Sequence, residues 1–490
     1  MEQNGKKTSI SAQSPKRVGK GNGCPHYKKC GGCQLQNMTY AEQLKHKQVK
    51  VIQLLGKFGR VKEIIGMQNP LHYRCKVQAA FGKDKSGIIS GVYQSSTHKI
   101  VPIDSCKIED QTADEIVVTI RKLLKSFKLK PFDERTMSGF LRHVLVRKGY
   151  YTGQIMVVLV TGTPIFPSAR AFVNALLQRH PQITTVVQNI NGKFTSMVLG
   201  EKTVTLYGDG YIEDQIADCT FRISPRSFYQ VNPVMTTKLY NQAIEYMGLT
   251  GTETVIDTYC GTGTIGILAA KKAGQVIGVE LNGDAVRDAR HNARRNNVQN
   301  IRFYTADAGD FMVEMAKAGE KADVVIMDPP RAGSDKRFID SVVTLAPKRV
   351  VYVSCNPETL ARDLNYFVRN GYAVRRIQPV DMFPHTDHVE TVCLLSKLNA
   401  KQHIEINLDM DELDLTDVEK KATYQEIKDY VLEHSGLKVS SLYIAQVKQK
   451  CGIIERENYN KPKSEDAKQP QCPPDKEKAI KEALTHFGMI

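Results

Sequence analysis

The sequence predicts an α/β protein centred on a seven-stranded, mostly parallel sheet, with an α+β domain bearing a cysteine cluster before it and a small helical extension after it. Three observations predict this. From Thr254 on, the short apolar runs TVID, QVIGVE, IRFYTA, DVVIMD and RVVYVS alternate with helical segments, the pattern of a doubly wound parallel sheet. The next two runs, YAVRRIQPVDMF and HVETVCLLSKL, are joined by a short turn around Pro384, and so short a connection forces antiparallel pairing. Upstream, a helical stretch precedes β-rich runs separated by glycine-containing turns.

In chain order, residues 1–23 read as a disordered basic tail. Residues 24–108 form a cysteine-bearing segment, with one helix (Ala41 to Phe58) and then strands in KVQAAFG and SGIISGVYQ. Residues 109–225 form a central α+β domain, in which HVLVRKGYYTGQIMVVLV reads as a hairpin and ITTVVQNI, KTVTLYG and CTFRIS extend the same sheet. Residues 226–397 hold the parallel sheet. Five parallel strands followed by a hairpin is the Rossmann-like ordering of class I methyltransferases. Residues 398–490 form a helical C-terminal extension. It has an acidic stretch (LDMDELDLTDVEKK), then helix, glycine turn and helix with Ser440 or Ser441 as cap, and a last helix in KAIKEALTHF. A helix–turn–helix module and a small packing appendage fit this unit equally.

At 490 residues the chain is too long for one core, and about 100–200 residues per domain gives about three domains. A formal charge of +16 favours a polyanionic partner, because surface Lys and Arg gain by displacing counterions from phosphates. Charge alone does not separate RNA from DNA or an anionic membrane. No apolar run approaches the roughly 20 residues that span a bilayer, and the N-terminus has no apolar signal core. The chain is therefore expected in the cytoplasm. There, its eleven cysteines are core fillers, metal ligands or reactive thiols rather than disulfides.

VIDTYCGTGTIGILAA is a strand, a glycine-rich turn and a helix start, with Gly261, Gly263 and Gly266 matching GxGxxG. Glu280 ends the next strand, placed to bind ribose hydroxyls. These features fit a nicotinamide cofactor and adenosylmethionine equally. DVVIMDPPR separates them: it puts Asp328, Pro329, Pro330 and Arg331 at the carboxyl edge, where an acidic Pro-Pro turn suits a flat base held beside a methyl donor. RVVYVSCNP puts Cys355 on the same rim, whereas Cys393 falls inside a strand.

GCPHYKKCGGCQLQ gives Cys24, Cys30 and Cys33, and VPIDSCKIE adds Cys106. Three close thiols and one distant one suit a tetrahedral sulfur site, and spacing alone leaves zinc and iron–sulfur both open. Cys75 is a possible stray ligand that better fits a position facing the neighbouring sheet.

With these residues in view, the chain resembles the RNA uracil-C5 methyltransferase family, most closely the branch acting on 23S ribosomal RNA. The resemblance covers Cys24 to Lys397. It rests on FYQVNP (228–233), DTYCGTGTIG (257–266), DPPR (328–331), SCNP (354–357) and DMFPHTDHVE (381–390), in that order. It implies that Cys355 is the nucleophile and Glu390 the proton acceptor. It also implies that Gln230, Tyr259, Glu280 and Asp328 line the S-adenosylmethionine site, and that Cys24, Cys30, Cys33 and Cys106 carry a 4Fe–4S cluster. The chemistry needs such a thiol. Uracil carbon 5 attacks a methyl group only after a thiolate has added to carbon 6, and a base must then remove the carbon 5 proton. His388 competes with Glu390 for that last role. The thiol calls for a lowered pKa, with Arg331, His385 and His388 as candidate causes.

The expected partner is 23S ribosomal RNA or an early ribosome-assembly intermediate, faced by the 109–225 domain, with no DNA, no membrane and a monomeric chain. DNA cytosine-C5 enzymes carry Pro-Cys after the fourth strand, where this chain has Asp-Pro-Pro. A transfer RNA enzyme of the same superfamily and a non-catalytic RNA-binding assembly protein are the alternatives, the four cysteines favouring ribosomal RNA. Two features depart from the family. Many members begin with a small β-barrel RNA-binding domain, and here a short polar tail is expected in its place, with Lys28, Lys29, Lys45, Lys47 and Lys50 as substitute phosphate contacts. The C-terminal extension is the second. Arg287, Arg290, Arg294 and Arg295 share one helix and read as an RNA contact or a solvated face.

Overall fold

The computed structural model describes residues 23–398 except Ser96, then 424–451, 472–487 and Met489. The basic tail up to residue 22 and the acidic stretch lie outside the described residues. The chain divides into two compact units at residues 403/404.

The first unit opens with a short helix α1 (Tyr27–Cys30) and a long helix α2 (Tyr40–Leu55). Thr39 caps α2 with a reciprocal Thr39–Glu42 box, which satisfies two orphan N–H groups. Strands β1 (Lys76–Asp84), β2 (Gly87–Tyr93) and β3 (Ile100–Pro102) follow, then α3 (Gln111–Ser126). Next come β4 (Leu141–Lys148), β5 (Ile155–Thr161), α4 (Ala169–Arg179), β6 (Ile183–Ile190) and β7 (Lys202–Tyr207). All seven strands form one sheet, ordered β3-β2-β1-β4-β5-β6-β7. It joins strands from both sides of the boundary expected at residue 108, because β1 pairs with β4 from Lys76↔Arg147 to Ala80↔His143. β4 and β5 are the expected hairpin. CTFRIS does not extend this sheet: β8 (Ile212–Ile216) and β9 (Cys219–Ile223) pair only with each other. Backbone N–H groups of Thr220 and Arg222 instead donate to Asn296 and Asn292 side chains.

Helix α5 (Pro233–Met247) leads into the parallel sheet: β10 (Thr254–Thr258), α6 (Thr264–Ala270), β11 (Gln275–Glu280), α7 (Gly283–Arg295), β12 (Ile301–Thr305), α8 (Ala308–Lys317), β13 (Val324–Met327), α9 (Lys336–Leu345), β14 (Arg349–Ser354), α10 (Pro357–Arg369), β15 (Tyr372–Val380) and β16 (Glu390–Lys397). The strand order is β12-β11-β10-β13-β14-β16-β15. β10 to β14 are parallel, and β16 runs antiparallel to both β14 and β15, as the sequence predicts. One apolar cluster joins Leu145, Met156 and Val158 of the first sheet, through Tyr229 and Leu239, to Val255 and Val351 of the second. The two sheets therefore share a core. Among the described residues no helix is long and apolar enough to cross a membrane.

The second unit is three helices, α11 (Tyr424–Ser435), α12 (Ser441–Lys450) and α13 (Pro474–His486). They close on Ile427, Val431, Ile444, Val447, Ile480 and Leu484. Ser440, not Ser441, caps α12, accepting from the Tyr443 N–H at 3.3 Å.

Candidate active site

β10 and β11 run parallel, so the loops leaving them meet at one sheet edge. Between β10 and α6 the chain makes a tight turn in which Tyr259, Gly261 and Gly263 all have positive φ, at 64°, 55° and 79°. For tyrosine that region is strained, and strained backbone concentrates at functional sites. Gly263 is obligatory because a Cβ there would stand 2.9 Å from Phe303 Cζ. At Gly261 a Cβ would meet nothing within 4 Å; the turn leaves open space there. Both carboxylate oxygens of Glu280 accept backbone donors, Gly261 N–H at 3.0 Å and Asn282 N–H at 2.8 Å. Glu280 is thus fixed at the rim and braces the glycine turn.

Gln230, Tyr259 and Asp328 line one cleft beside this turn, together with Tyr240 and Asp257. Gln230 and Thr264 face Tyr240 and oppose part of the upward push that burial gives its hydroxyl. Asp257 is buried, and its Oδ2 has no hydrogen-bond partner. Burial first, then Asp328 and Glu280, push its pKa up to about 8. A buried carboxyl lining the cleft, held protonated by desolvation, fits a cationic ligand such as adenosylmethionine, whose charge would ionise it on binding.

The second half of the site lies across β14 and β16. Their pairing ends at Ser354↔Thr391, so Cys355, just past β14, and Glu390, the first residue of β16, meet at the rim. Glu390 is 4% exposed. Burial and then Asp328 raise its pKa to about 8, with Arg331 opposing. Asp328 opens on the cleft but sits deep enough that desolvation lifts it to about 7. The Cys355 thiol is half-buried. It is pushed up to about 11 by desolvation, then by Glu390 and Asp328, and Arg331 offsets this only in part. The expected lowered thiol pKa is therefore reversed, because burial disfavours the thiolate and two carboxyls face it against one cation. Among the three candidate cations, Arg331 is the one that acts on Cys355. His388 accepts from it and His385 is occupied elsewhere, by Gln43 and the Pro70 carbonyl.

The two reactive loops are tied together. Asn356 Nδ2 and Thr359 Oγ1 both donate to the Arg331 carbonyl at 3.3 Å. Arg362 donates to the Ala332 and Ser334 carbonyls at 3.0 Å. Buried Asp363 accepts from Ser334 N–H and Tyr352 O–H. The DPPR turn is thus held by the helix that follows Cys355.

The cysteines outside the rim fall into separate environments. Cys75 is buried and its thiol points at the Gln230 carbonyl, 3.6 Å away; it supports the FYQVNP segment and is no stray ligand. Cys24, Cys30 and Cys33 lie within electrostatic range of one another. A Cβ on Gly23 would come 3.7 Å from Lys107 Nζ, beside Cys106. Yet among the described residues no group of three or more His, Cys, Asp or Glu stands close enough to hold a metal ion. As placed, the four thiols do not fit a bound cluster, and no chemistry is routed through one.

Sequence reasoning missed Asp257 and Tyr240. Asp257 sits inside the quoted glycine motif, and an acid ending a strand before GxGxxG was the available signal; Tyr240 carries none. The arginines of α7 are mostly engaged. Arg287 pairs with Asp284, Arg290 donates to the Phe303 carbonyl, and Arg295 pairs with Glu213. That supports the solvated, structural reading of the face.

The sequence profile described as tRNA (Uracil-5-)-methyltransferase matches residues 39–398. Proteins described as uncharacterized RNA methyltransferases are similar over most of their length. One from Bacillus cereus is 41% identical over 399 residues, 80% of this chain and 86% of that protein. One from Clostridium tetani is 43% identical over 383 residues, 77% and 83% of the two chains. The crystal structure of Pyrococcus abyssi tRNA (uracil-54, C5)-methyltransferase with S-adenosyl-L-homocysteine is similar at 30% identity and a TM-score of 0.63, covering 75% of this chain and 86% of that one. A class I fold and these matches together identify an RNA methyltransferase, and the chain belongs to the RNA uracil-C5 methyltransferase family.

Proposed function

We propose that the enzyme methylates carbon 5 of a uridine in 23S ribosomal RNA, with Cys355 as nucleophile and Glu390 as base. The observation that carries this reading is one thiol and one deeply buried carboxyl meeting beside the adenosylmethionine cleft, with Arg331 between them in charge. The Cys355 thiolate adds to carbon 6, and the double-bond electrons move to the carbon 4 oxygen as an enolate. Adenosylmethionine supplies the methyl group to carbon 5 and leaves as S-adenosylhomocysteine. Glu390 then takes the carbon 5 proton, the carbon 6–sulfur bond breaks, and the thiolate departs. Gln230, Tyr259, Glu280 and Asp328 hold the methyl donor, and Asp257 and Asp328, ionising as it binds, complement its positive charge.

Glu390→Gln tests the mechanism: it should complete methyl transfer and stay covalently bound to RNA, while Cys355→Ala should form no adduct. An active Cys355→Ala variant overturns the reading. Mass mapping of 5-methyluridine in ribosomal and transfer RNA, from cells with and without the protein, tests the substrate. Loss confined to 23S RNA is the expected result. The similarity to a transfer RNA enzyme supports a second reading, which loss confined to transfer RNA would establish. No labelled methyl in any uracil would leave an assembly protein. In the same proposal the chain is a cytoplasmic monomer. A 4Fe–4S cluster on Cys24, Cys30, Cys33 and Cys106 belongs to the proposal through the family resemblance, and it requires the four thiols to draw closer together than they stand here. Iron and sulfide analysis of purified protein tests that assignment, and zinc in their place overturns it.

A further inference from the structure

The turn 381–389 carries the chain from β15 to Glu390, and few of its polar groups are satisfied from within. Most of its partners come from residues 34–73, far away in sequence. The Leu35 N–H donates to the His385 carbonyl at 2.9 Å. Lys47 Nζ reaches the Phe383 carbonyl at 3.0 Å, and Tyr73 O–H the Pro384 carbonyl at 3.0 Å. The cysteine-bearing segment and α2 therefore act as a template for this turn.

Gln43 on α2 makes the most specific of these contacts. Its side chain is fully buried. Its Oε1 accepts from the His385 backbone N–H at 2.8 Å, and its Nε2 lies 3.1 Å from His385 Nδ1. Nε2 also donates to the Met38 carbonyl. His385 Nε2 stands 3.1 Å from the Pro70 carbonyl, which can only accept. The ring proton therefore sits on Nε2, and Nδ1 accepts from Gln43. His385 has φ 69°, a conformation that a non-glycine residue keeps only when held there. Gln43 holds both its backbone and its ring. Three residues on, His388 accepts from Arg331; five residues on is Glu390.

We propose that Gln43 is a positioning residue for the proton-removal step: through His385 it sets the turn that delivers Glu390 and seats His388 against Arg331. The proposal rests on Glu390 being the base. It assigns α2 a role in the second half of the reaction, not in capturing either substrate.

The test is single-turnover reaction of Gln43→Leu with labelled adenosylmethionine and the RNA substrate. Methyl transfer should proceed near the wild-type rate. Release of methylated RNA should slow about tenfold or more, as expected for misplacing a catalytic group by a fraction of an ångström, so a methylated covalent adduct builds up. Gln43→Glu, which keeps the acceptor for the His385 N–H, should restore part of the release rate. If Gln43→Leu is too unstable, His385→Asn tolerates the left-handed backbone and removes the ring contact; it should show the same adduct. Wild-type release in a folded variant, or loss of methyl transfer with no adduct, overturns the proposal. Glu390→Gln is the control. If it traps no methylated adduct, the reading of Glu390 fails; if it traps one and the Gln43 and His385 variants do not, only the role of Gln43 fails.

Discussion

Nη2 of Arg331 lies 3.2 Å from Nε2 of His388. Burial and the neighbouring guanidinium lower the imidazole's pKa, so His388 is a neutral acceptor and leaves the Arg331 charge intact. That charge lowers the pKa of both Cys355 and Glu390. In the proposed mechanism His388 thus seats Arg331 rather than competing as the base.

Arg331→Met should therefore reduce the thiolate fraction of Cys355. Alkylation by iodoacetamide at mildly alkaline pH should slow about tenfold, and covalent adduct formation with RNA by a similar factor. His388→Leu should give a smaller effect of the same sign, because the guanidinium remains but is no longer held. Unchanged alkylation in Arg331→Met would sink the electrostatic role of this residue.

The buried carboxyls make stability depend on pH in a defined direction. Asp257 is raised from 3.8 to about 8, Asp328 from 3.8 to about 7 and Glu390 from 4.5 to about 8. Raised folded-state values mean that the native state holds protons the unfolded chain has lost. The stabilisation is complete below pH 3.8 for the aspartates and is lost as pH climbs through about 8. Each group contributes a slope of up to about 1.4 kcal/mol per pH unit within its window. The melting temperature of cofactor-free protein should fall between pH 5 and 8, and adenosylmethionine should flatten that fall. A melting temperature that rises over this interval refutes the burial of these acids.

The same shift sets the rate of proton removal. A base must be ionised to act, so release of methylated RNA should speed up with rising pH and level off above an apparent pKa near that of the Glu390–Asp328 pair. Glu390→Gln should stay covalently bound at every pH in this range. A release rate indifferent to pH in the wild-type enzyme would exclude Glu390 as the base.

The glycines of the cofactor turn separate folding from binding. Gly263→Ala drives a Cβ to 2.9 Å from Phe303 and keeps a φ of 79°; it should cost about 2 kcal/mol or more of stability. Gly261→Ala meets no neighbour within 4 Å. Its cost should be only the left-handed strain, about 1 kcal/mol, yet its methyl points into the space open to the methyl donor. Denaturant melts and calorimetric titration with adenosylmethionine should show Gly261→Ala nearly as stable as wild type but at least several-fold weaker in binding. Normal affinity would place the donor away from this turn.

The parallel sheet was legible because strand and helix periods alternate cleanly from Thr254 on, and the rim positions of Cys355, Asp328 and Glu280 followed from strand ends alone. The first sheet was legible strand by strand but not as one object. β1 to β3 and β4 to β7 are separated by α3, and nothing local marks the Lys76↔Arg147 register that joins them. β9 was misassigned for a related reason: a short run alternating apolar and polar residues specifies a strand without naming its partner. The direction of the Cys355 shift was beyond reach as well. It depends on how deeply the Cys355 thiol is buried and on Glu390 and Asp328 facing it, a property of three loops meeting rather than of any one of them. α2 read as a helix carrying lysines for phosphate, and its grip on the Glu390 turn spans more than 330 positions, as in the Lys47–Asp381 bond.

That bond gives the last prediction. Lys47 Nζ and Asp381 Oδ1 are 2.6 Å apart with both side chains fully buried, so Lys47 is not available as the phosphate contact its sequence position suggested. Lys47 also donates to the Phe383 carbonyl, and Tyr40 O–H donates to the other oxygen of Asp381 at 2.9 Å. Removing one partner of a buried, hydrogen-bonded pair strands the other charge, at about 3–5 kcal/mol. Lys47→Met should therefore destabilise the protein strongly. Lys47→Met with Asp381→Leu should recover much of that loss, because no charge remains buried and the apolar volume is kept. The two changes should not be additive. RNA affinity measured on the double variant should stay close to wild type, since neither side chain reaches the surface. A double variant as unstable as the single one would mean that the pair is held mainly by its backbone and Tyr40 bonds, whereas a large loss of RNA affinity would mean that Lys47 contacts phosphate after all.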